Sequence, residues 1–160
     1  MMKEQNIFAI TIFQNILYNM HYLIKYLDKL FQLKKEKGWK YLYFMIDIHN
    51  TVIKPTYSKS LDFEFFPYAK ECLQMLSKRN NVKLIMWTST HAKTIYEYED
   101  KFWEYGIVFN FVNENPDFED DDIRCFIDKF YYDVGIDDKF GFDAETDWKP
   151  LYDYLKTLEV

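Results

Sequence analysis

Three segments of this chain that read as strands end on polar side chains that can do chemistry. Tyr41–Ile46 ends at Asp47, with His49 and Thr51 close behind. Val82–Trp87 ends at Thr88 and Ser89, and Phe130–Ile136 ends at Asp137 and Asp138. A carboxylate that follows a buried strand is fixed on a rigid element. Three acidic residues at two neighbouring strand ends suit a hard cation, since Mg2+ takes a few carboxylates, backbone carbonyls and waters and leaves room for a phosphate. The Thr88 hydroxyl and an ammonium from Lys129 or Lys93 can bind phosphate oxygens. A carboxylate beside a divalent cation can attack phosphorus and form an aspartyl-phosphate. One Asp at a strand end is ordinary turn chemistry; a set of suitable residues at several strand ends points further.

The elements that must position these residues follow from periodicity. Tyr41–Ile46 is the near-continuous apolar run of a buried parallel strand. Residues 48–66, with Pro55, Ser and Thr, read as a loop or small flap. The spacing predicts a helix over 67–78, a strand over 82–87, a helix over 92–105 closed by Gly106, a strand over 107–112, an acidic loop over 113–122, a strand over 130–136 and a helix over 146–158. Alternation of this kind means α/β: a three-layer, Rossmann-like parallel sheet with helices on its faces. Ligands of such sheets sit at the carboxyl ends of the strands, where the residues above lie.

These motifs carry a resemblance. Met45-Ile46-Asp47-Ile48-His49-Asn50-Thr51-Val52 resembles motif one of the haloacid dehalogenase-like superfamily, D-x-D-x-T. Leu84–Ser89 is similar to motif two, an apolar strand ending in Thr or Ser. Lys129–Lys139 is similar to motifs three and four, a Lys followed by a strand ending in paired Asp. Val112–Pro116 is similar to a segment of small capless hydrolases and phosphatases. The resemblance covers about residues 41–158. It implies a capless or minimally capped phosphatase with Asp47 as nucleophile and magnesium ligand, joined on the metal by the backbone carbonyl of His49 and by Asp137 and Asp138. Thr88 and Ser89 would bind the phosphate, and Lys129 would neutralise it and pair with Asp47. Asp143 is a weaker helper with an equal reading as a loop or cap residue. The chain departs from the pattern at His49, where the acid/base Asp is expected. Imidazole titrates near neutrality and can replace that carboxyl; otherwise the acid/base function is lost.

Composition bounds the rest. The chain has 160 residues, 49% hydrophobic and 29% charged, which excludes bulk disorder. A net charge of −6 argues against a nucleic-acid partner. Cys72 and Cys125 form no C-x-x-C and suit a reducing compartment, so the expected location is the cytoplasm. Lys3 precedes an apolar stretch, but Glu4 balances it and no small-residue cleavage site follows. No stretch reaches the roughly 18–20 apolar residues of a spanning helix, so no membrane partner is expected. The acidic run 117–122 lacks the fixed offsets and Gly of a calcium loop and reads as solvated. His21 and His91 have no ligand spacing, Trp87 and Trp148 read as packing residues, and no phosphate-cradling Gly motif occurs.

Residues 1–38 read as a separate helical extension before an α/β domain over 39–160. Ile10, Phe13, Leu17, Met20, Ile24, Leu27 and Phe31 recur at helical spacing, and Gly38 can end the helix. Such a stripe packs on its own domain, docks a partner protein or self-associates through residues 6–36. Two functions follow: a magnesium-dependent phosphatase acting on a phosphorylated substrate through Asp47, or a catalytically impaired relative serving as a structural or interaction module.

Overall fold

The computed structural model describes residues 22–55, 63–116, 124–126 and 129–158. The chain divides into two compact units, Met1–Trp39 and Lys40–Val160. In the first, residues 22–37 form helix α1. It closes as a Schellman turn: Gly38 is left-handed (φ 67), its N–H bonds the Lys35 carbonyl, and the Trp39 N–H bonds Lys34. Leu27 and Leu30 are buried. The apolar positions from Ile10 to Met20, and His21, lie outside the described residues. So do the middle of the flap and the run 117–122.

The second unit is built on a sheet of four parallel strands. They are β1 (Leu42–Asp47), β2 (Val82–Trp87), β3 (Phe111–Val112) and β4 (Val134–Ile136), in the order β3-β2-β1-β4. Helices α2 (Ala69–Ser77), α3 (Ala92–Glu104) and α4 (Trp148–Leu155) connect or follow them. Register partners in a sheet share a face. Phe44, Ile46, Leu84, Met86, Val134 and Ile136 therefore line one side, and all are buried. The other side carries Met45, Ile85 and Gly135 and ends at Asp47 and Trp87. Among the described residues, no helix is long and apolar enough to cross a membrane.

Two strands are shorter than their apolar runs predict, for one physical reason. The Asn110 side-chain carbonyl accepts the Leu84 N–H at 2.9 Å, a ladder position that backbone would otherwise fill. Residues 107–110 are thus a connector, not part of a strand over 107–112. At the other edge the Asp133 carboxylate accepts the Tyr43 N–H at 2.8 Å, and the β4 ladder starts only at Val134. The Asn115 amide bonds the Tyr131 N–H and the Phe126 carbonyl, which draws 130–132 into the preceding loop. Helices α2, α3 and α4 fall within one to three residues of expectation. Gly106 (φ 73) ends α3 with the Ile107 N–H on the Phe102 carbonyl.

Helix α4 is tied to the sheet by Trp148. Its ring is fully buried, meets Phe142 at 4.8 Å, and its Nε1–H donates to the Thr51 carbonyl at 2.8 Å. The expectation of a packing residue holds, with a hydrogen bond added. Trp87 differs: as the last residue of β2 it lies beyond the covered part of the sheet and is 37% exposed. Trp148→Phe keeps most of the buried ring but strips a buried carbonyl of its donor. A stability loss of about 1–3 kcal/mol in urea unfolding is expected. A loss below about 0.5 kcal/mol would show that this bond does not hold α4 in place.

Candidate active site

The strand ladder decides which side chains meet. Ile46 pairs with Ile136, so Asp47 and Asp137 leave adjacent strands at the same level. Asp137 is extended and caps a short 3-10 turn, Asp138–Phe140, with its carboxylate accepting the Lys139 N–H at 2.8 Å. Oxygens of Asp47, Asp137 and Asp138 all lie within 4.8 Å of one another. Asp137 is buried and Asp138 exposed, so the cluster runs from the sheet edge to solvent.

Thr51 organises this cluster. After β1 the chain turns tightly, with Asn50 left-handed (φ 60) and the Val52 and Ile53 N–H groups both on the Ile48 carbonyl. The turn buries Thr51 completely. Its hydroxyl donates to Asp47 Oδ2 at 2.8 Å and accepts the Asp138 N–H at 3.1 Å. The one side chain thus links the Asp47 carboxylate to the backbone of Asp138. Among the described residues, no backbone N–H uses the His49 carbonyl, so it can serve as an oxygen ligand.

Electrostatics oppose the arrangement. Burial pushes the Asp47 carboxyl above its ordinary value of 3.8, the Thr51 hydroxyl and the Ile48 N–H pull it back, and the Asp137 and Asp138 charges raise it again. Both neighbouring charges acting on it are carboxylates. Three hard oxygen donors that repel one another fit a small divalent cation, whose charge would reverse that repulsion.

Thr88 is buried beside β1, and its backbone is clamped by one side chain. The Asn113 amide accepts the Thr88 N–H at 2.8 Å and donates to the Thr88 carbonyl at 2.7 Å. Asn113 follows β3 in a left-handed conformation (φ 52) that aims the amide back at β2. The Thr88 hydroxyl bonds Thr90 at 3.0 Å. Ser89 is exposed. Lys129 is also exposed and forms no ion pair with Asp47. Its chain segment does reach the end of β2, because the Phe130 ring lies 4.7 Å from Trp87.

The His49 imidazole stands outside the carboxylate cluster. Its Nε2 is 2.8 Å from the Tyr98 hydroxyl on α3. Burial raises that hydroxyl above its ordinary value, so it remains protonated at neutral pH. Asp143 resolves as a loop residue: its carboxylate accepts the Glu145 N–H, and its own N–H bonds Asp147, the residue before α4. His91 is exposed at the start of α3. A cavity of about 210 Å³ between α3 and residues 107–109 shares no residue with the cluster.

Asn113 and Tyr98 are the site-supporting residues that sequence reasoning misses. Asn113 carries a weak signal, an Asn at a strand end where left-handed backbone is wanted. Tyr98 carries none, since only the packing of α3 brings it to His49.

No protein-family model matches the chain, and no curated protein matches it. Among solved structures it is similar to a conserved protein from Bacteroides thetaiotaomicron, with a TM-score of 0.56 and 22% identity over 75% of this chain and 93% of that one. This likeness shows the fold: an α/β, Rossmann-like domain.

A raised folded-state pKa means that Asp47 contributes stability below about pH 3.8, its unfolded value, and that this is lost as pH rises through the folded value. Asp47→Asn keeps an acceptor for Thr51 and removes the charge. Its melting temperature should exceed wild type at pH 7 and match it at pH 3. Mg2+ should raise the melting temperature of wild type and not of Asp47→Asn. An equal rise in both would remove Asp47 from the cation site.

Proposed function

We propose that the chain is a magnesium-dependent phosphatase of the haloacid dehalogenase-like kind, acting through an aspartyl-phosphate on Asp47. The convergence of Asp47, Asp137 and Asp138 at the carboxyl ends of two adjacent strands carries this reading. Asp47, Asp137, Asp138 and the His49 carbonyl would hold Mg2+. The bound ion would supply charge neutralisation for the phosphoryl oxygens.

The chain's own residues do the rest. Thr51 and the Ile48 N–H hold the Asp47 carboxylate, so that an oxygen attacks phosphorus without reorganising. The P–O ester bond breaks, and the leaving oxygen takes a proton from the His49 imidazole, which takes one back from the water that attacks next. Thr88, fixed by Asn113, orients the phosphoryl group. Lys129, entering beside Phe130, adds positive charge. Water then attacks phosphorus, releases phosphate and restores the carboxylate. Tyr98 engages His49 at Nε2, so a proton passed by this imidazole uses Nδ1.

One observation favours the second reading, a binding or interaction module: the His49 side chain bonds Tyr98 and is not among the side chains that cluster with Asp47. Hydrolysis of p-nitrophenyl phosphate with Mg2+ separates the two. Under the first, wild type turns over, Asp47→Asn is silent, and His49→Gln loses about 10²-fold or more. Activity confined to His49→Asp would mark a phosphate site without its acid/base and favour the module. Turnover that survives in Asp47→Asn would sink the nucleophile.

A further inference from the structure

We propose that the site takes phosphomonoesters whose leaving group carries a planar aromatic ring, and that Trp87, Phe130, Tyr132 and Phe140 form the surface on which that ring lies. This rests on the phosphatase reading above.

The four rings form a continuous row. Trp87 meets Phe130 at 4.7 Å with the planes tilted by 51°, Phe130 meets Tyr132 at 6.4 Å with a tilt of 41°, and Tyr132 stacks on Phe140 at 6.4 Å with 19° between planes, so the stacked pair is the flat part of the row. Trp87 is 37% exposed, Tyr132 39% and Phe140 59%. Single exposed apolar side chains are ordinary, whereas a contiguous set marks a contact surface.

Both ends of the row begin at the site. Trp87 is the register partner of Asp47 and precedes Thr88. Phe140 lies two residues after Asp138 in the same 3-10 turn. Lys129 and Lys139, both exposed, directly precede Phe130 and Phe140 and complement an anion held against rings. The backbone makes room for the row: a Cβ on Gly135 would come within 2.9 Å of Phe140 and 3.1 Å of Tyr132. Any larger residue at that strand position would push the Phe140 ring, and to a lesser degree the Tyr132 ring, off β4. A phosphate at Asp47 therefore has an aromatic floor beside it. Stacking there rewards an aryl or nucleobase leaving group over an alkyl one.

Non-hydrolysable probes test this without turnover. Calorimetry on the full chain with Mg2+ would compare phenylphosphonate, methylphosphonate and a nucleoside methylenephosphonate. At least one ring-bearing probe should bind about tenfold tighter than methylphosphonate, and the tighter of the two tells an aryl ester from a nucleotide. In Phe140→Ala, and independently in Trp87→Ala, that preference should fall below about threefold while methylphosphonate affinity holds. Equal affinity for all three probes overturns the aromatic floor and leaves the phosphate site standing. A preference that survives both substitutions overturns the row as its seat. No binding of any probe overturns the phosphate site, and the floor with it.

Discussion

A buried threonine holds this site together. Thr51 is wholly enclosed, and its hydroxyl and carbonyl must find partners or cost about 1–3 kcal/mol each. The hydroxyl is satisfied by Asp47 and the Asp138 N–H, and the carbonyl by the Trp148 indole. Those partners come from the end of β1, the turn after β4 and the start of α4. Satisfying one buried residue therefore brings three distant segments together. It also draws Asp138 beside Asp47 against the repulsion of their charges.

The same device recurs around the sheet. Its ladders are short, and side chains take over where backbone pairing stops. Asn110 and Asp133 receive the N–H groups of Leu84 and Tyr43 at the amino ends. Asn113 grips both backbone polar groups of Thr88 at a carboxyl end. Asn115 joins two parts of the loop that leads into β4. Loops anchored this way keep functional groups in place without the added length of a regular strand.

A charged, half-buried carboxylate is a poor choice for stability alone. Asp47 is raised by burial and by like charges, and its hydrogen bonds offset this only in part. Strain of this kind collects at functional sites, where the ligand rather than the fold relieves it. The row of exposed rings is a second such departure, since rings on a surface gain nothing from water.

Much of this was legible in the sequence because strand ends follow from apolar runs, and the parallel order follows from alternation with helices. Asp47, Thr88, Asp137 and Asp138 could be placed at one edge of a sheet on that basis. The runs over 107–112 and 130–136 misled as to strand length, because an apolar pattern cannot show that Asn110 or Asp133 takes a ladder bond. The partnership of His49 with Tyr98, the clamp of Asn113 on Thr88, and the contact of Trp87 with Phe130 join residues 25 to 49 positions apart. Periodicity is a local property and gives the sheet and the ends of its strands. Which side chains meet above those ends depends on how loops of irregular shape satisfy their buried polar groups, and only the tertiary structure decides that.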